Sequence, residues 1–440
     1  MKIMKFGGTS VGKPQRMFEV ADLIARDDDT KIVVLSAVSG TTNALVAIGH
    51  ALASGNKEAA RQKIAVLEDQ YQVFADALLK ETAYRQKAET TLKEHFEFLN
   101  IILKISYNEA LNKDILAQGE LLSTKLFSVY LEEKGIDHCL IPALDFMSID
   151  INDEPQVEVI RKKLEMVLAE NTGKKIYITQ GYICRNAKGE VDNLKRGGSD
   201  YSASLIAAAA NASVCEIWTD ISGMHNNDPR IVDQTMPIEQ LSFDEAAELA
   251  YFGAKILHPA SIWPAQQYKI PVKLLNTMEP SAKGTLIAEK AIAKGVKAIA
   301  AKDGITAINI KSSRMLLAYG FLRKVFEVFE KFRTPIDMIT TSEVAVSLTI
   351  DNDLALAEIE KELAAFSTVS IDSNQTIISI VGNEVAENAA TLEKVFASLG
   401  SVNVRMVSYG GSAHNISLLV PGEEKKRVLQ LLNKGLFGLG

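Results

Sequence analysis

Short β-branched apolar runs alternate with longer amphipathic stretches over the first two-thirds of the chain. Residues 3–6, 31–36, 138–141, 175–179, 214–219 and 271–275 predict strands, and stretches such as 58–79 and 90–105 predict helices. The strand candidates are apolar almost throughout rather than at every second position. That pattern belongs to strands covered on both faces, so the expected architecture is α/β, an open, mostly parallel, helix-covered sheet. In such a sheet ligands bind beyond the carboxyl ends of the strands. A polar motif directly after a strand is therefore a candidate for chemistry.

After residue 290 the pattern changes. An Ala/Lys-rich stretch running to Asp303-Gly304 reads as a linker or a domain entry, and the remainder of the chain reads twice over. The first pass predicts strand 307–311, helix 320–332, strands 336–340 and 344–350, and helix 355–366. The second predicts strand 376–381, helix 388–399, strands 402–408 and 415–420, and helix 423–432. Lys324-Val325-Phe326 recurs as Lys394-Val395-Phe396, and Ile336-x-Met338-Ile339 as Val404-x-Met406-Val407. Two copies of a βαββαβ unit of about 70 residues predict a pair of ferredoxin-like modules. The expected domains are thus 1–290, 291–370 (linker and first module) and 371–440 (second module).

Composition narrows the partners. A length of 440 residues suits two or three domains, and 47% hydrophobic with 23% charged residues is ordinary for a globular protein. The net charge of −7 gives no basic surface for nucleic acid. Cys139, Cys184 and Cys215 lie far apart, with no CxxC pair, so neither a disulfide framework nor a thiolate zinc site is expected. The longest apolar candidate, 203–212, is alanine-rich and too short for a bilayer, and no leader-like segment precedes the first strand. The expectation is a cytoplasmic protein with neither nucleic-acid nor membrane partner.

Four segments carry candidate chemistry. Lys5-Phe6-Gly7-Gly8-Thr9-Ser10-Val11-Gly12-Lys13-Pro14 runs from a strand through a glycine turn to a helix beginning at a proline, a geometry whose backbone N–H groups cradle phosphate. Its spacing from Gly7 to Lys13 mimics a P-loop. Pro14, however, has no hydroxyl to hold Mg²⁺, so Lys5 at the strand end is preferred as the phosphate cation. Leu194-Lys195-Arg196-Gly197-Gly198-Ser199-Asp200 predicts a second strand–loop–helix anion site with an arginine fork; taken alone it is equally an N-cap with a solvated arginine. Trp218-Thr219-Asp220 opens a polar loop ending at Asp228-Pro229-Arg230, suited either to a nucleotide or to a plain turn. Phe252-Gly253-Ala254-Lys255-Ile256-Leu257-His258-Pro259 sets a lysine at a glycine break, with His258 read as structural and His225 as a surface residue.

Taken together, KFGGTSV at 5–11, Gly119-Glu120, KRGGSD at 195–200, WTD at 218–220, DPR at 228–230, FGAKxLHP at 252–259 and ITTSEV at 339–344 resemble the aspartate kinase branch of the amino-acid kinase superfamily. The resemblance covers essentially the whole chain and implies a kinase domain followed by two ACT modules. It implies transfer of the ATP γ-phosphoryl group to the β-carboxylate of L-aspartate, giving 4-phospho-L-aspartate and ADP, with feedback by lysine. The inventory suits that chemistry. A carboxylate of pKa about 3.9 is already ionised at pH 7 and needs no general base, so the site must hold two anions together and absorb charge.

By that resemblance Lys5, Asp200 and Lys255 are the catalytic residues. Lys5, Gly7, Gly8, Gly198, Thr219, Asp220, Arg230 and Lys255 would bind ATP. Ser36, Thr42, Glu120, Arg196 and Ser199 would bind aspartate, with Glu120 on the α-ammonium and Arg196 on a carboxylate. Mg²⁺ would ride on the ATP phosphates, with no all-protein metal cage. Met315, Gly320, Phe321, Leu322, Asp337, Thr341, Ser342 and Glu343 would form the effector site. The acidic pair there suits lysine, while Ala318 and Pro335 replace hydroxyls of lysine-sensitive relatives and leave threonine or no effector open. His225 stands where the family often has an aromatic residue, and Lys195 where it has glycine. Paired ACT modules favour a homodimer or a dimer of dimers. The chain carries no GxGxxG fingerprint after a strand and ends at Gly440, which predicts a monofunctional kinase. A glutamate or acetylglutamate kinase is disfavoured by the ACT pair, and a catalytically dead sensor by the retained Lys5, Arg196 and Lys255.

Overall fold

The computed structural model describes residues 1–194, 197–253, 257–290, 294–312 and 319–439. The chain forms two compact units, Met1–Met224 with Leu257–Glu289, and His225–Ile256 with Lys290–Gly440.

The first unit contains β1 (Lys2–Phe6), α1 (Pro14–Ile24), β2 (Lys31–Leu35), α2 (Thr41–Ala53), α3 (Lys57–Leu78), α4 (Thr82–Ile102), α5 (Glu109–Glu133), β3 (Cys139–Leu140), α6 (Ala143–Phe146), α7 (Val157–Glu170), β4 (Ile176–Gln180), the hairpin β5 (Ile183–Arg185) and β6 (Val191–Asn193), α8 (Gly198–Ala209) and β7 (Val214–Thr219). After the excursion into the second unit it resumes with α10 (Pro259–Gln267), β9 (Val272–Asn276) and β10 (Thr285–Ala288). Its strands lie in the order β3-β4-β2-β1-β7-β9-β10, parallel except for β10. The expected parallel sheet is therefore present. β1 and β2 are buried along nearly their whole length, as their unbroken apolar runs require. The helices bury one stripe each. In α3, Ala60, Ile64, Leu67, Tyr71, Ala75 and Leu78 recur at intervals of three and four, and Asn56 caps the first turn by accepting from the Ala59 N–H. α4 begins well before the predicted residue 90, because its first two turns are polar and only Ala88 marks the buried face.

The second unit contains β8 (Gln240–Ser242) and α9 (Phe243–Tyr251), then β11 (Gly295–Lys311), α11 (Phe321–Lys331), β12 (Ile339–Thr341), β13 (Ala345–Ile350), α12 (Leu356–Ala364), β14 (Thr368–Asn383), α13 (Ala389–Leu399), β15 (Met406–Ser408), β16 (Asn415–Pro421) and α14 (Lys425–Phe437). One six-stranded sheet runs β12-β13-β11-β14-β16-β15. The two predicted repeats are both there, but they share strands. The second half of β11 pairs with β13 and with the start of β14, closing the first module over the core of Ile308, Ile310, Phe321, Val325 and Phe329. The first half of β11 pairs with the second half of β14, closing the second module over Ile299, Ile378, Val395, Leu418 and Leu432. Residues 295–302 read as linker in sequence because they are alanine-rich. They become strand because that pairing buries Ala298, Ile299 and Ala300, a tertiary override of weak local propensity.

The segment after Met224 is built into this second module. Val232 joins the module's core, and Asn226 accepts from the Ile299 N–H at 2.8 Å through its backbone carbonyl. Asn433 on α14 is fully buried. It accepts from Asn226 Nδ2 at 3.1 Å and donates to the Gln234 carbonyl at 3.0 Å. Asn433→Leu removes both partners and leaves buried polar groups unmatched, at a cost of about 2–4 kcal/mol. Urea unfolding of the full chain should show the second unit melting earlier; an unchanged midpoint would remove Asn433 from this role.

Candidate active site

The register of the parallel strands builds the site's floor. Phe6 on β1 lies opposite Leu35 on β2 and Trp218 on β7, and Leu35 lies opposite Gln180 on β4. Four strands therefore end together, and the residues following each face one edge of the sheet. From β1 come Lys5 and the Gly7-Gly8 turn; from β2, Ser36 and Ala37. β4 supplies Gly181 and Tyr182, and β7 supplies Thr219 and Asp220.

Lys5 is buried at the end of β1, and its Nζ pairs with Asp200 Oδ1 at 2.5 Å on the first turn of α8. The ion pair holds an otherwise flexible ammonium at the sheet edge beside the glycine turn and the α8 N-terminus, where Gly198 is the first helical residue. Such an end carries unsatisfied N–H groups and partial positive charge, which suits an anion. The Gly7 N–H already donates to the Trp218 carbonyl at 3.3 Å, so Gly7 ties β1 to β7 in addition to leaving the approach open.

Beside this cationic corner lies a second, acidic one. Ser36 Oγ donates to Ser199 Oγ at 2.8 Å, and Ser123 Oγ donates to the Ser36 carbonyl at 2.7 Å. Glu120, near the middle of α5, accepts from the Ala37 N–H at 3.3 Å and is almost fully buried. Burial pushes its carboxyl up to about 7, opposed by the Ala37 N–H. A carboxyl so poised takes on full charge when a cation arrives. Two glycines allow this packing. A Cβ on Gly119 would stand 2.9 Å from the Ala37 methyl, and one on Gly181 would stand 2.4 Å from Ser199.

Of the predicted residues, Lys5, Gly7, Gly8, Ser36, Glu120, Gly198, Ser199, Asp200, Thr219 and Asp220 line this edge. Thr219 Oγ1 donates to Asp220 Oδ1 at 3.1 Å. Thr42 sits exposed in the first turn of α2. Arg196, Lys195 and Lys255 lie outside the described residues. Arg230 is in the second unit, highly exposed and chelated by Asp228 at 2.9 and 2.7 Å. His225, expected at the surface, is half-buried and bonded to Thr235 Oγ1 at 2.9 Å. His258 caps α10 by accepting from the Ala260 N–H, in its structural role. Sequence reasoning missed Tyr182, which holds φ of +66° directly after Gly181 and whose ring lies near enough to feel the charges of Glu120 and Asp192. The signal was available: a bulky residue following a glycine at a strand end.

In the second unit the predicted effector residues divide. Gly320 caps α11 at φ of +85°, Leu322 is exposed, and Thr341, Ser342 and Glu343 are exposed around the β12–β13 turn, where Ser342 Oγ accepts from the Ala345 N–H. Phe321 puts its ring into the first module's core, leaving its main chain for a ligand. Met315 and Ala318 lie outside the described residues. The Asp337 side chain is buried, and its Oδ1 accepts from Lys302 Nζ at 2.7 Å and Tyr251 Oη at 2.8 Å. Lys302 also pairs with Asp351 at 2.8 Å. No sequence signal marked Lys302 or Tyr251 as neighbours of Asp337.

Comparison with known proteins agrees with this fold. The profile of the amino acid kinase family matches residues 1–276, and that of the ACT domain matches 378–436. Lysine-sensitive aspartokinase 3 of Escherichia coli is 34% identical over 449 residues, covering 99% of each chain. Chloroplastic aspartokinase 3 of Arabidopsis thaliana is 36% identical over 99% of this chain and 81% of its own. The crystal structure of E. coli aspartokinase III in complex with aspartate and ADP superposes with a TM-score of 0.83 at 33% identity, covering 99% of this chain and all of that one. A second structure of that enzyme, in complex with lysine and aspartate, superposes with a TM-score of 0.82. The chain belongs to the amino acid kinase family and, within it, to the aspartokinases with a C-terminal ACT region.

With Lys5 as the phosphate cation expected from the sequence, Lys5→Ala should lower kcat for phosphoryl transfer at least ~10²-fold with the fold intact, the loss typical of one preorganised charge. Steady-state kinetics on the purified, folded variant checks this; near wild-type turnover would take Lys5 out of the site.

Proposed function

We propose that the chain transfers the γ-phosphoryl group of ATP to the β-carboxylate of L-aspartate, giving 4-phospho-L-aspartate and ADP. The observation that carries it is one sheet edge with a fixed cation (Lys5 with Asp200) next to a buried acid (Glu120 with Ser36 and Ser199). The E. coli relative crystallised with aspartate and ADP supports the same pair of ligands.

The acceptor is bound through its α-ammonium on Glu120, with Ser36 and Ser199 as polar neighbours and Arg196 on a carboxylate. That leaves the β-carboxylate facing the phosphate corner. Lys5 draws charge from the transferring phosphoryl group, and Asp200 keeps Lys5 from swinging away. Thr219 and Asp220 hold the nucleotide. No side chain removes a proton, since the attacking carboxylate is already ionised. The work is positioning and charge neutralisation. Mg²⁺ carried on the phosphates would supply further neutralisation, with Asp200 and Asp220 the carboxylates at this edge.

We further propose that the ACT modules bind an amino-acid effector, lysine, through Met315, Gly320, Phe321, Leu322, Asp337, Thr341, Ser342 and Glu343, and that they pair two or more copies of the chain. The E. coli structure in complex with lysine and aspartate supports the first point. Unpaired cysteines, and the absence among the described residues of a helix long and apolar enough to cross a membrane, are consistent with a cytoplasmic setting.

Coupled assay of ADP release with L-aspartate tests the reaction; no aspartate-dependent release from folded protein with Mg-ATP overturns it. The acid on Glu120 adds a pH signature. Ammonium binding needs the carboxylate, and the free site's carboxyl titrates near 7. Below that pH, kcat/KM for aspartate should fall towards about tenfold per unit, while the ATP KM holds. Glu120→Gln should weaken aspartate and flatten the profile, and a wild-type profile flat from pH 5.5 to 8 would remove Glu120 from the ammonium. Titration with lysine should lower the rate where equal threonine does not, and flat curves for both would end the regulatory reading.

A further inference from the structure

Helix α5 and the β5–β6 hairpin face each other across an ion pair that none of the assigned roles uses. Lys113 Nζ lies 2.6 Å from Asp192 Oδ2, and the Asp192 side chain is only 2% exposed. Lys113 stands seven residues before Glu120, two turns along the same face of α5 and about 10 Å away along its axis. Asp192 lies at the centre of β6, opposite Cys184. Two residues on, the Leu194 N–H donates to the Tyr182 carbonyl at 2.8 Å. The Tyr182 N–H donates to Ser202 Oγ at 2.7 Å, and Ser202 donates to the Gly198 carbonyl at 3.3 Å. Hairpin, Tyr182 and the first turn of α8 are therefore one hydrogen-bonded body. That body carries Ser199 and Asp200, while α5 carries Glu120.

We propose that Lys113 and Asp192 are positioning residues for the acceptor substrate, fixing the distance between the ammonium-binding helix and the loop that binds the rest of the amino acid. The inference rests on the kinase reading above and adds to it the residues that set the site's width. Three considerations support it. Asp192 is buried and Lys113 half-buried, and an ion pair so desolvated seldom stabilises more than an apolar pair of equal volume would, so stability alone is a weak reason for it. Its neighbours repel: burial and the nearby Glu190 of the hairpin raise the carboxyl of Asp114, next to Lys113 on α5. Lys113 thus joins the hairpin to the helix through Asp192, and its loss leaves that carboxylate buried without its cation. Finally, Tyr182 at φ of +66° ties the hairpin to α8, a strained backbone that persists only where its surroundings hold it.

The experiment uses the full chain and compares Lys113→Met, Asp192→Asn and Lys113→Arg. For Lys113→Met and Asp192→Asn the aspartate KM should rise at least about tenfold, the ATP KM should stay within about threefold, and Lys113→Arg should recover most of the loss, since a displacement near 1 Å costs up to ~10²-fold. Amide hydrogen exchange without substrates is the second readout. In Lys113→Met, residues 183–200 should exchange faster while β1 and β2 do not change. Unchanged aspartate KM, equal rises in both KM values, or unchanged exchange over 183–200 would each overturn the proposal. If Asp192→Asn does not fold, the two Lys113 variants decide. Should the wild type not phosphorylate aspartate, the kinase reading fails by itself, and the exchange comparison still decides whether the pair sets the spacing.

Discussion

One ion pair organises the kinase unit. Phosphoryl transfer to a carboxylate asks two anions to meet, and nothing in the acceptor's own chemistry helps them do so. The fold answers with an ammonium that cannot wander: Lys5 emerges from the central strand of a buried sheet and is met at 2.5 Å by Asp200 on α8. An aspartate near phosphates looks unfavourable in isolation. Here it converts a long, flexible side chain into a fixed charge, so the entropy of ordering Lys5 is met during folding rather than at reaction.

The same sheet edge separates opposite electrostatic tasks by a few residues. Lys5 sits under a helix N-terminus that favours anions, and Glu120 sits in a dry pocket that raises its carboxyl to about 7. An acid only part-charged near neutral pH, and drawn to full charge when a cation arrives, is selective. It binds an ammonium well and a second carboxylate poorly, which orients a zwitterion with both an amino and a carboxyl end. Positioning of the acceptor is then a matter of spacing between α5 and the loop before α8.

Much of this was legible in sequence because it rests on local rules. Continuous apolar strands, glycine turns after them and a helix opened by Pro14 arise from steric and hydrogen-bond constraints that act within a dozen residues. The tail's two modules were legible for the same reason, through Lys-Val-Phe at 324–326 and 394–396. The strand sharing was not. Whether residues 295–302 form a strand depends on β14 arriving some eighty residues later to bury Ile299, and nothing local in an alanine-rich segment says so. Likewise Lys302, Tyr251 and Tyr182 acquire their neighbours only through tertiary contacts. A lone lysine or tyrosine reads as surface until its partner is known.

The shared strands also bear on how an effector's presence is felt within the second unit. Lys302 sits at the register shift where β11 passes from one module to the other. Its ammonium bridges Asp337 and Asp351 of the first module and lies 4.6 Å from the Tyr251 ring centroid, while the Tyr251 hydroxyl donates to the same Asp337 oxygen. Tyr251 ends α9, only four residues before Lys255. A ligand ammonium that takes charge from Asp337 must therefore alter the balance felt by Lys302 and Tyr251, because all three share one carboxylate. Coupling of this kind needs no long wire. Within the second unit it needs only one carboxylate oxygen shared between the ammonium at the strand junction and the hydroxyl that ends α9.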